Sequence, residues 1–266
     1  MITVSRISIA PVKSLGLVFP DEVQLGAHGI AGDRRFWMTD ATGRLYNNKR
    51  LGTFVLVRPT WDEESGQLTL AFPNGSAVSG TVELGTETAT TFYGAAFPSR
   101  RVIGPWEDAL SEYAGEPLLL FHAPDGATDR GLHGGTVSLV SEASLARLGE
   151  VAGAAAPLDG RRFRMLFEID GVEAHEEDEW IGRRIRIGEA EIVFRGDIGR
   201  CVVTSHDPDT GETDVDTLRA LATYRREGRS EPLPLGIYGQ VVEPGRVRIG
   251  DTVTIAATRV FAASST

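Results

Sequence analysis

The side chain best suited to chemistry in this sequence is the thiol of Cys201, the only cysteine among 266 residues. It follows Gly199 and Arg200 in a predicted loop that enters a β-branched run at residues 202–204. A guanidinium beside a thiol favours the thiolate, which binds soft metals or attacks electrophiles. The alternative is an inert cysteine, because free cysteine is among the most buried residue types.

The single cysteine also limits the redox sites that the chain can hold. One thiol excludes an internal disulfide, a CxxC pair, a four-cysteine zinc site and an iron–sulfur cluster held by this chain alone. A reducing compartment fits this cysteine usage. Residues 1–12 lack the apolar segment of a signal peptide, and no run reaches transmembrane length. These features predict a soluble, cytoplasmic protein with no membrane contact.

The charge balance narrows the classes of partner. Asp and Glu total 37 against 27 for Lys and Arg, which gives a net charge of −10. This excess argues against broad attraction to nucleic acid or anionic lipid, but it is compatible with a local basic pocket. We therefore expect a small-molecule substrate and no nucleic-acid partner.

The histidines are a second set of groups that could act as bases or metal ligands. His133 and His175 lack the HxH, HxxxH or ExxH partners of a zinc or non-haem iron site. A cysteine hydrolase could pair Cys201 with one of them or with His206, but no Asn or Asp is selected by spacing to orient the base. We interpret the histidines as solvated or structural, and residues 173–179 as a charged surface turn.

Short β-rich runs must position these groups in the first half of the chain. They lie at residues 3–9, 36–39, 53–59, 67–72 and 77–84. Their spacing favours a barrel or sandwich over βαβ units. A helix is expected at residues 105–113, where apolar side chains share a face and Gly115 follows. The turn-rich residues 124–135 suit a domain boundary.

The second half again mixes many strands with few helices. Strands are expected at residues 136–140, 164–169, 183–187, 191–195, 236–242, 246–249 and 253–255. One helix is predicted at residues 144–151 with Ser141 as its cap, and another at residues 215–225 after the turn at residues 207–211. The patterns predict a mainly β fold with a few helices, of the α+β class.

Three separated motifs resemble those of a known family. They are residues 11–14, with the sequence PVKS, residues 29–35, GIAGDRR, and residues 199–225, which begin GRCVVT and continue through DPDTGE. In this order they resemble the MOSC proteins, which include the mitochondrial amidoxime-reducing component and bacterial relatives. The resemblance spans roughly residues 7–255, nearly the whole chain.

The resemblance implies both a fold and a cofactor. It implies an N-terminal MOSC-type β-barrel domain at residues 1–122, packed on a C-terminal MOSC β-barrel domain at residues 123–266. It also implies a mononuclear molybdenum bound by the dithiolene of a pterin (molybdopterin), with Cys201 as the single protein ligand. A metal already held by two sulfurs accepts a soft thiolate readily. No iron–sulfur cluster is expected in this chain.

The resemblance also implies which side chains surround the cofactor. A pterin phosphate needs cationic or amide donors. The matching cofactor-binding positions are Lys13, Ser14, Arg34, Ser141, Arg164, Arg200 and Cys201. Met165 and Leu166 replace the family's Pro-Asn, so we expect a side-chain amide contact to be missing. Glu142 replaces a residue that donates to the cofactor in relatives, and we expect its carboxylate to turn away or only its backbone to serve.

Two functions are compatible with these expectations. The first is a molybdenum-dependent oxidoreductase that reduces N-hydroxylated substrates, with electrons from a separate flavin or ferredoxin-type protein. The alternative is a carrier that binds the molybdenum cofactor, or a persulfide on Cys201, for delivery elsewhere. Retention of the metal with redox activity favours the first function, and free exchange of the cofactor favours the second.

Overall fold

The computed structural model describes residues 1–92, 95–123 and 136–259, and strands dominate them. The helices are α1 (Trp106–Ala114), α2 (Glu142–Ala152) and α3 (Thr217–Tyr224). The strands are β1 (Thr3–Ile7), β2 (Glu22–Gly26), β3 (Gly29–Ile30), β4 (Phe36–Asp40), β5 (Leu45–Tyr46), β6 (Arg58–Asp62), β7 (Gln67–Ala71), β8 (Ala77–Thr81), β9 (Glu83–Phe92), β10 (Ala95–Ile103), β11 (Leu118–His122), β12 (Val137–Ser141), β13 (Phe167–Asp170), β14 (Arg183–Ile187), β15 (Ala190–Gly199), β16 (Pro234–Glu243), β17 (Gly245–Arg248) and β18 (Val253–Arg259). The predicted mainly β class and the three predicted helices are confirmed. Within the described ranges, no helix combines the length and the apolar character that crossing a bilayer requires.

A seven-stranded sheet forms the largest layer, in the order β1-β13-β12-β16-β15-β14-β18. Its neighbours are antiparallel except for the parallel pair β12 and β13. The first strand of the chain lies at one edge, where Ile7 faces Phe167 of β13. One apolar core covers this sheet, with Val4, Trp180 and Phe194 almost fully enclosed. Burial of this apolar surface is the main favourable term in its folding.

The first strands of the chain also pair with its last ones. In the sheet β17-β2-β3, Val23 faces Val247, and both side chains are buried in the same core. Residues 3–30 therefore complete sheets of the C-terminal half, across the expected domain boundary. The turn-rich residues 124–135 lie outside the described residues, and the division into residues 1–122 and 123–266 stays a prediction.

A second core is formed by residues from β4 to β11 together with Val12 and Leu15, which precede β4. The sheets β5-β4-β11-β10-β9 and β6-β7-β8 enclose it together with α1. Trp106 at the start of α1 is buried and donates its indole N–H to the carbonyl oxygen of Leu68, at 3.1 Å. Phe54 is fully buried in the same core. Helix α1 thus ties two sheets of this half together.

The strand that the β-branched run at residues 202–204 predicts is absent, and the strand predicted at residues 53–59 is confirmed only at residues 58 and 59 of β6, because hydrogen bonds turn the chain there. Residues 202–204 are part of a 3-10 helix (Val202–Ser205), in which the carbonyl oxygen of Cys201 accepts the Thr204 N–H at 3.1 Å. Residues 53–56 lie in another (Gly52–Leu56), which buries Phe54. Tertiary contacts override the β propensity of branched residues at both places.

The acidic run at residues 173–179 is only partly a surface turn. Its second half forms a 3-10 helix (Glu176–Trp180), and the side chain of Glu177 is fully buried. Glu177 accepts hydrogen bonds from the hydroxyls of Ser141 and Ser144, at 2.9 and 2.7 Å. These bonds favour the ionised carboxylate, but burial is the larger effect and raises the pKa of Glu177. The surface-turn prediction is therefore wrong for Glu177.

Two glycines bring the halves of the chain into backbone contact. A Cβ atom added to Gly52 would lie 2.0 Å from the carbonyl oxygen of Gly211. Gly211 has a φ of +75° and closes the predicted turn at residues 207–211, where its N–H donates to the Asp207 carbonyl oxygen at 2.8 Å. This close approach requires that Gly52 carry no side chain.

We expect the substitution Gly52→Ala to lower the free energy of unfolding by about 1–3 kcal/mol, because the added methyl group overpacks the contact. The matched control is Gly80→Ala, whose Cβ would meet the Trp106 ring at an ordinary 3.6 Å. Urea unfolding followed by tryptophan fluorescence measures both variants. Equal loss of stability in the two variants would contradict the account of this contact.

Candidate functional site

Cys201 lies in the wall of a cavity of about 400 Å³. Six of the seven predicted site residues line it, namely Lys13, Ser14, Arg34, Arg164, Arg200 and Cys201. They come from the loop after β1, the turn after β3, the segment before β13 and the loop after β15. The fold thus brings together residues that are up to 188 positions apart in sequence, counted from Lys13 to Cys201.

The backbone around Cys201 is held by the start of α3. Cys201 is half-buried, and its carbonyl oxygen also accepts the hydroxyl of Thr204, at 3.0 Å. That hydroxyl lies 2.7 Å from the hydroxyl of Thr217, the first residue of α3. The thiol is therefore carried on a hydrogen-bonded turn.

Arg200 anchors the same loop to its surroundings. The Arg200 Nε donates to the carbonyl oxygen of Leu235 at 2.8 Å, and another guanidinium N–H donates to the carbonyl oxygen of Phe163 at 3.3 Å. A further N–H lies 2.9 Å from the sulfur of Met165, the residue that departs from the family pattern. These contacts direct the guanidinium to protein acceptors, so Arg200 fixes the loop that carries Cys201.

Three residues of the cavity wall have a strained backbone. Ser14, Arg34 and Arg164 have φ angles of 77°, 49° and 55°, and they are three of the five non-glycine residues with positive φ in the described ranges. Such left-handed conformations cost on the order of 1–3 kcal/mol each and persist where the surroundings hold them. Strain of this kind clusters at binding and catalytic sites, which supports a functional cavity.

Arginine side chains join the two halves of the chain at the cavity. Arg34 donates to the backbone carbonyl oxygen of Arg164 at 2.9 Å, and Arg164 donates to that of Leu15 at 2.7 Å. Asp33 accepts from the Arg34 guanidinium and, through its other oxygen, from the Ala10 N–H at 2.8 Å. Charge-assisted bonds of this type are stronger than neutral ones. They hold the amino-terminal motifs against the segment before β13.

The cavity is cationic although the protein is acidic. Asp33 is the one carboxylate among the residues that line the cavity, whereas six lining residues are basic. The basic residues are Lys13, Arg34, Lys49, Arg162, Arg164 and Arg200. Lys13 is 8% exposed, and its ammonium lies 5.4 Å from the centre of the Phe92 ring, a cation–π contact. This charge favours an anionic ligand.

Sequence patterns do not identify several lining residues. Asn48, Thr136 and Arg162 line the cavity, and each has a buried polar atom without a hydrogen-bond partner among the described residues. The atoms are the Asn48 Nδ2, the Thr136 hydroxyl and the Arg162 Nε. An unpaired buried donor costs roughly 1–3 kcal/mol, which an acceptor on a bound ligand would relieve. Residues 47–50, with the sequence NNKR, are typical of an ordinary turn, so only the tertiary structure shows that Asn48 lines the cavity.

Ser141 is the predicted site residue that does not line the cavity. It caps α2 by accepting the Ser144 N–H at 3.1 Å, and it bonds to the buried Glu177. The cap was predicted correctly. At the cavity end of β12, Thr136 and Ser138 face the cavity instead. The carboxylate of Glu142 is exposed in the first turn of α2, where it interacts favourably with the helix dipole.

No described histidine lines the cavity. Burial lowers the pKa of His175 to about 4, and its ring lies 5.6 Å from that of Tyr224. Burial also lowers the pKa of His206. His133 lies outside the described residues. Within those residues no group of three His, Cys, Asp or Glu side chains could hold a metal ion.

Comparisons with known proteins assign both halves of the chain to one family. The family model of the MOSC domain matches residues 129–254, and that of the MOSC N-terminal beta barrel domain matches residues 1–112. The chain belongs to the MOSC family. The six predicted residues that line the cavity are thus contributed by both MOSC regions.

Two curated relatives and one solved structure illustrate the similarity. The chain is 26% identical to the human mitochondrial amidoxime-reducing component 1 over 94% of its length and 82% of that protein. It is 25% identical to the molybdenum cofactor sulfurase of rice over 85% of its length, but spans only 31% of that protein. The YUAD protein from Bacillus subtilis aligns at 15% identity with a TM-score of 0.47, covering 95% of this chain and 94% of that one.

We expect Arg200→Lys to loosen the loop that carries Cys201, because a lysine cannot reproduce the forked contacts to Leu235 and Phe163. Loss of charge-assisted bonds should lower the free energy of unfolding by about 1.5–3 kcal/mol. Alkylation of the single thiol should also become faster. Arg195→Lys, on the exposed part of β15, is the control. Unchanged stability and unchanged alkylation in Arg200→Lys would contradict an anchoring role.

Proposed function

We propose that the cavity binds the molybdenum cofactor and that the protein reduces N-hydroxylated small molecules there. The observation that carries this proposal is the position of Cys201: the only thiol of a MOSC chain lies in the wall of a cationic cavity. Cys201 would be the protein ligand of the metal, because a thiolate suits a metal already bound by a dithiolene.

The residues of the cavity fit such a cofactor. Its phosphate would be held by Lys13, Ser14, Arg34 and Arg164, which combine cationic side chains with a hydroxyl. The unpaired donors of Asn48 and Arg162 suit a ligand rich in acceptor atoms. When bound, the metal supplies the two-electron redox chemistry that cleavage of an N–O bond requires. The chain's own residues bind and orient the reactants.

Electrons would come from a separate flavin or ferredoxin-type protein. The chain has one cysteine, and that thiol cannot both bind molybdenum and hold an iron–sulfur cluster. The similarity to amidoxime-reducing components, at 26% identity to human component 1, supports the reductase. The similarity to a cofactor sulfurase supports cofactor binding, and the chain spans about a third of that protein's length.

We expect Cys201→Ala to lose amidoxime reduction with a chemical reductant and to retain less molybdenum. The pterin should remain, because the cationic residues still contact its phosphate. Metal analysis by mass spectrometry, pterin fluorescence after oxidation and turnover of benzamidoxime measure the three effects. The matched control is Val202→Ala, an exposed neighbour that does not line the cavity.

Two results would contradict the proposal in different ways. A Cys201→Ala variant with unchanged molybdenum and unchanged turnover contradicts the proposed metal ligand. Wild-type protein that holds stoichiometric molybdenum but reduces no N-hydroxylated compound contradicts the reductase. Free exchange of the cofactor with another protein would then favour a carrier.

A further inference from the structure

One edge of the cavity is formed by residues that no sequence motif assigns. Asn47, Asn48 and Lys49 lie there, directly after β5. Asn48 is 5% exposed, and its Nδ2 has no acceptor among the described residues. Lys49 is exposed, and its ammonium makes no ion pair within the described part of the chain. Two consecutive residues of this edge therefore carry a buried amide donor and an exposed positive charge.

Local hydrogen bonds hold this segment in place. The side-chain oxygen of Asn47 accepts the Lys49 N–H at 3.0 Å, and its backbone carbonyl oxygen accepts the Arg50 N–H at 2.9 Å. The contact between Gly52 and Gly211 fixes the segment against the turn that follows the Cys201 loop. A group held in this way loses little conformational freedom when a ligand binds.

Neighbouring charges leave this edge open to an anion. Arg50 is engaged elsewhere, by Asp40 at 2.6 Å and by Glu116 at 2.9 Å, and it does not line the cavity. Asp33 is the one carboxylate among the lining residues, and it is neutralised by Arg34. No carboxylate of the cavity wall is therefore positioned to compete for Lys49.

We infer that Asn48 and Lys49 form an anion subsite of the cavity, which binds a carboxylate or phosphate group. Lys49 supplies charge and Asn48 supplies amide N–H donors, the combination that oxyanions accept. The inference rests on the proposed function, because the anion is either the phosphate of the cofactor or an acidic group on the N-hydroxylated substrate.

The test uses Lys49→Met and Asn48→Leu in the full-length protein. The matched control is Arg44→Met, which removes the same charge from an exposed residue outside the cavity wall. Calorimetric titration at low salt compares the binding of 4-carboxybenzamidoxime with that of neutral benzamidoxime. Pterin fluorescence after oxidation measures how much cofactor each variant retains.

The two sources of the anion give different results. For a substrate anion, both variants lose about fivefold in the affinity for the carboxylated compound relative to that for benzamidoxime, as loss of a charge-assisted contact implies. For the cofactor phosphate, both variants retain less pterin while the ratio of the two affinities stays that of wild type. Variants that match Arg44→Met in both measurements overturn the inference.

The failure of the proposed function is separately visible. Wild-type protein that carries neither molybdenum nor pterin contradicts that function. Titration of that protein with inorganic phosphate, beside the comparison of carboxylated and neutral compounds, still decides the anion subsite, because both measurements depend on binding and not on turnover.

Discussion

The hydrogen bonds made by Arg34 and Arg164 are the interaction on which the cavity depends. These residues are 130 positions apart, and Arg34 donates to the backbone of Arg164 while Arg164 donates to that of Leu15. Both residues have left-handed backbones, so the same bonds that join the halves must also offset local strain. Together with the pairing of β1 with β13, they fix the amino-terminal motif around Lys13 relative to Cys201.

Electrostatics explains how an acidic protein tolerates a cationic cavity. Arg162 is 7% exposed, and its guanidinium is paired with Asp214 at 2.5 Å, while Arg34 is paired with Asp33. Lys13 is stabilised by an aromatic ring. Burying a charge is tolerable when it is paired in this way. Lys49 differs, since it is exposed and makes no ion pair within the described residues.

The sequence predicted what depends on local patterns. Helix α2 and its Ser141 cap follow from an apolar helix face and a capping hydroxyl. The motifs around Lys13, Arg34 and Cys201 indicate the MOSC family, and all three residues line the cavity. The sequence could not predict that Asn48 and Thr136 line the cavity, because their positions depend on packing between distant segments. In the structure the Ser141 hydroxyl bonds to the buried Glu177 and does not line the cavity, and its assignment to the cofactor stays a prediction. The 3-10 helix after Cys201 could not be predicted either. The two valines there favour a strand, but the hydrogen bond from the Thr204 N–H to the Cys201 carbonyl oxygen stabilises the turn.

The central claim is that the Cys201 sulfur binds molybdenum in this cavity. X-ray absorption at the molybdenum edge tests it most directly, by counting sulfur neighbours of the metal in wild-type protein and in Cys201→Ser. The account predicts one sulfur fewer in the variant, with an oxygen or nitrogen neighbour in its place. Identical sulfur counts in the two proteins, or wild-type protein purified from molybdenum-replete cells without any bound molybdenum, would contradict it.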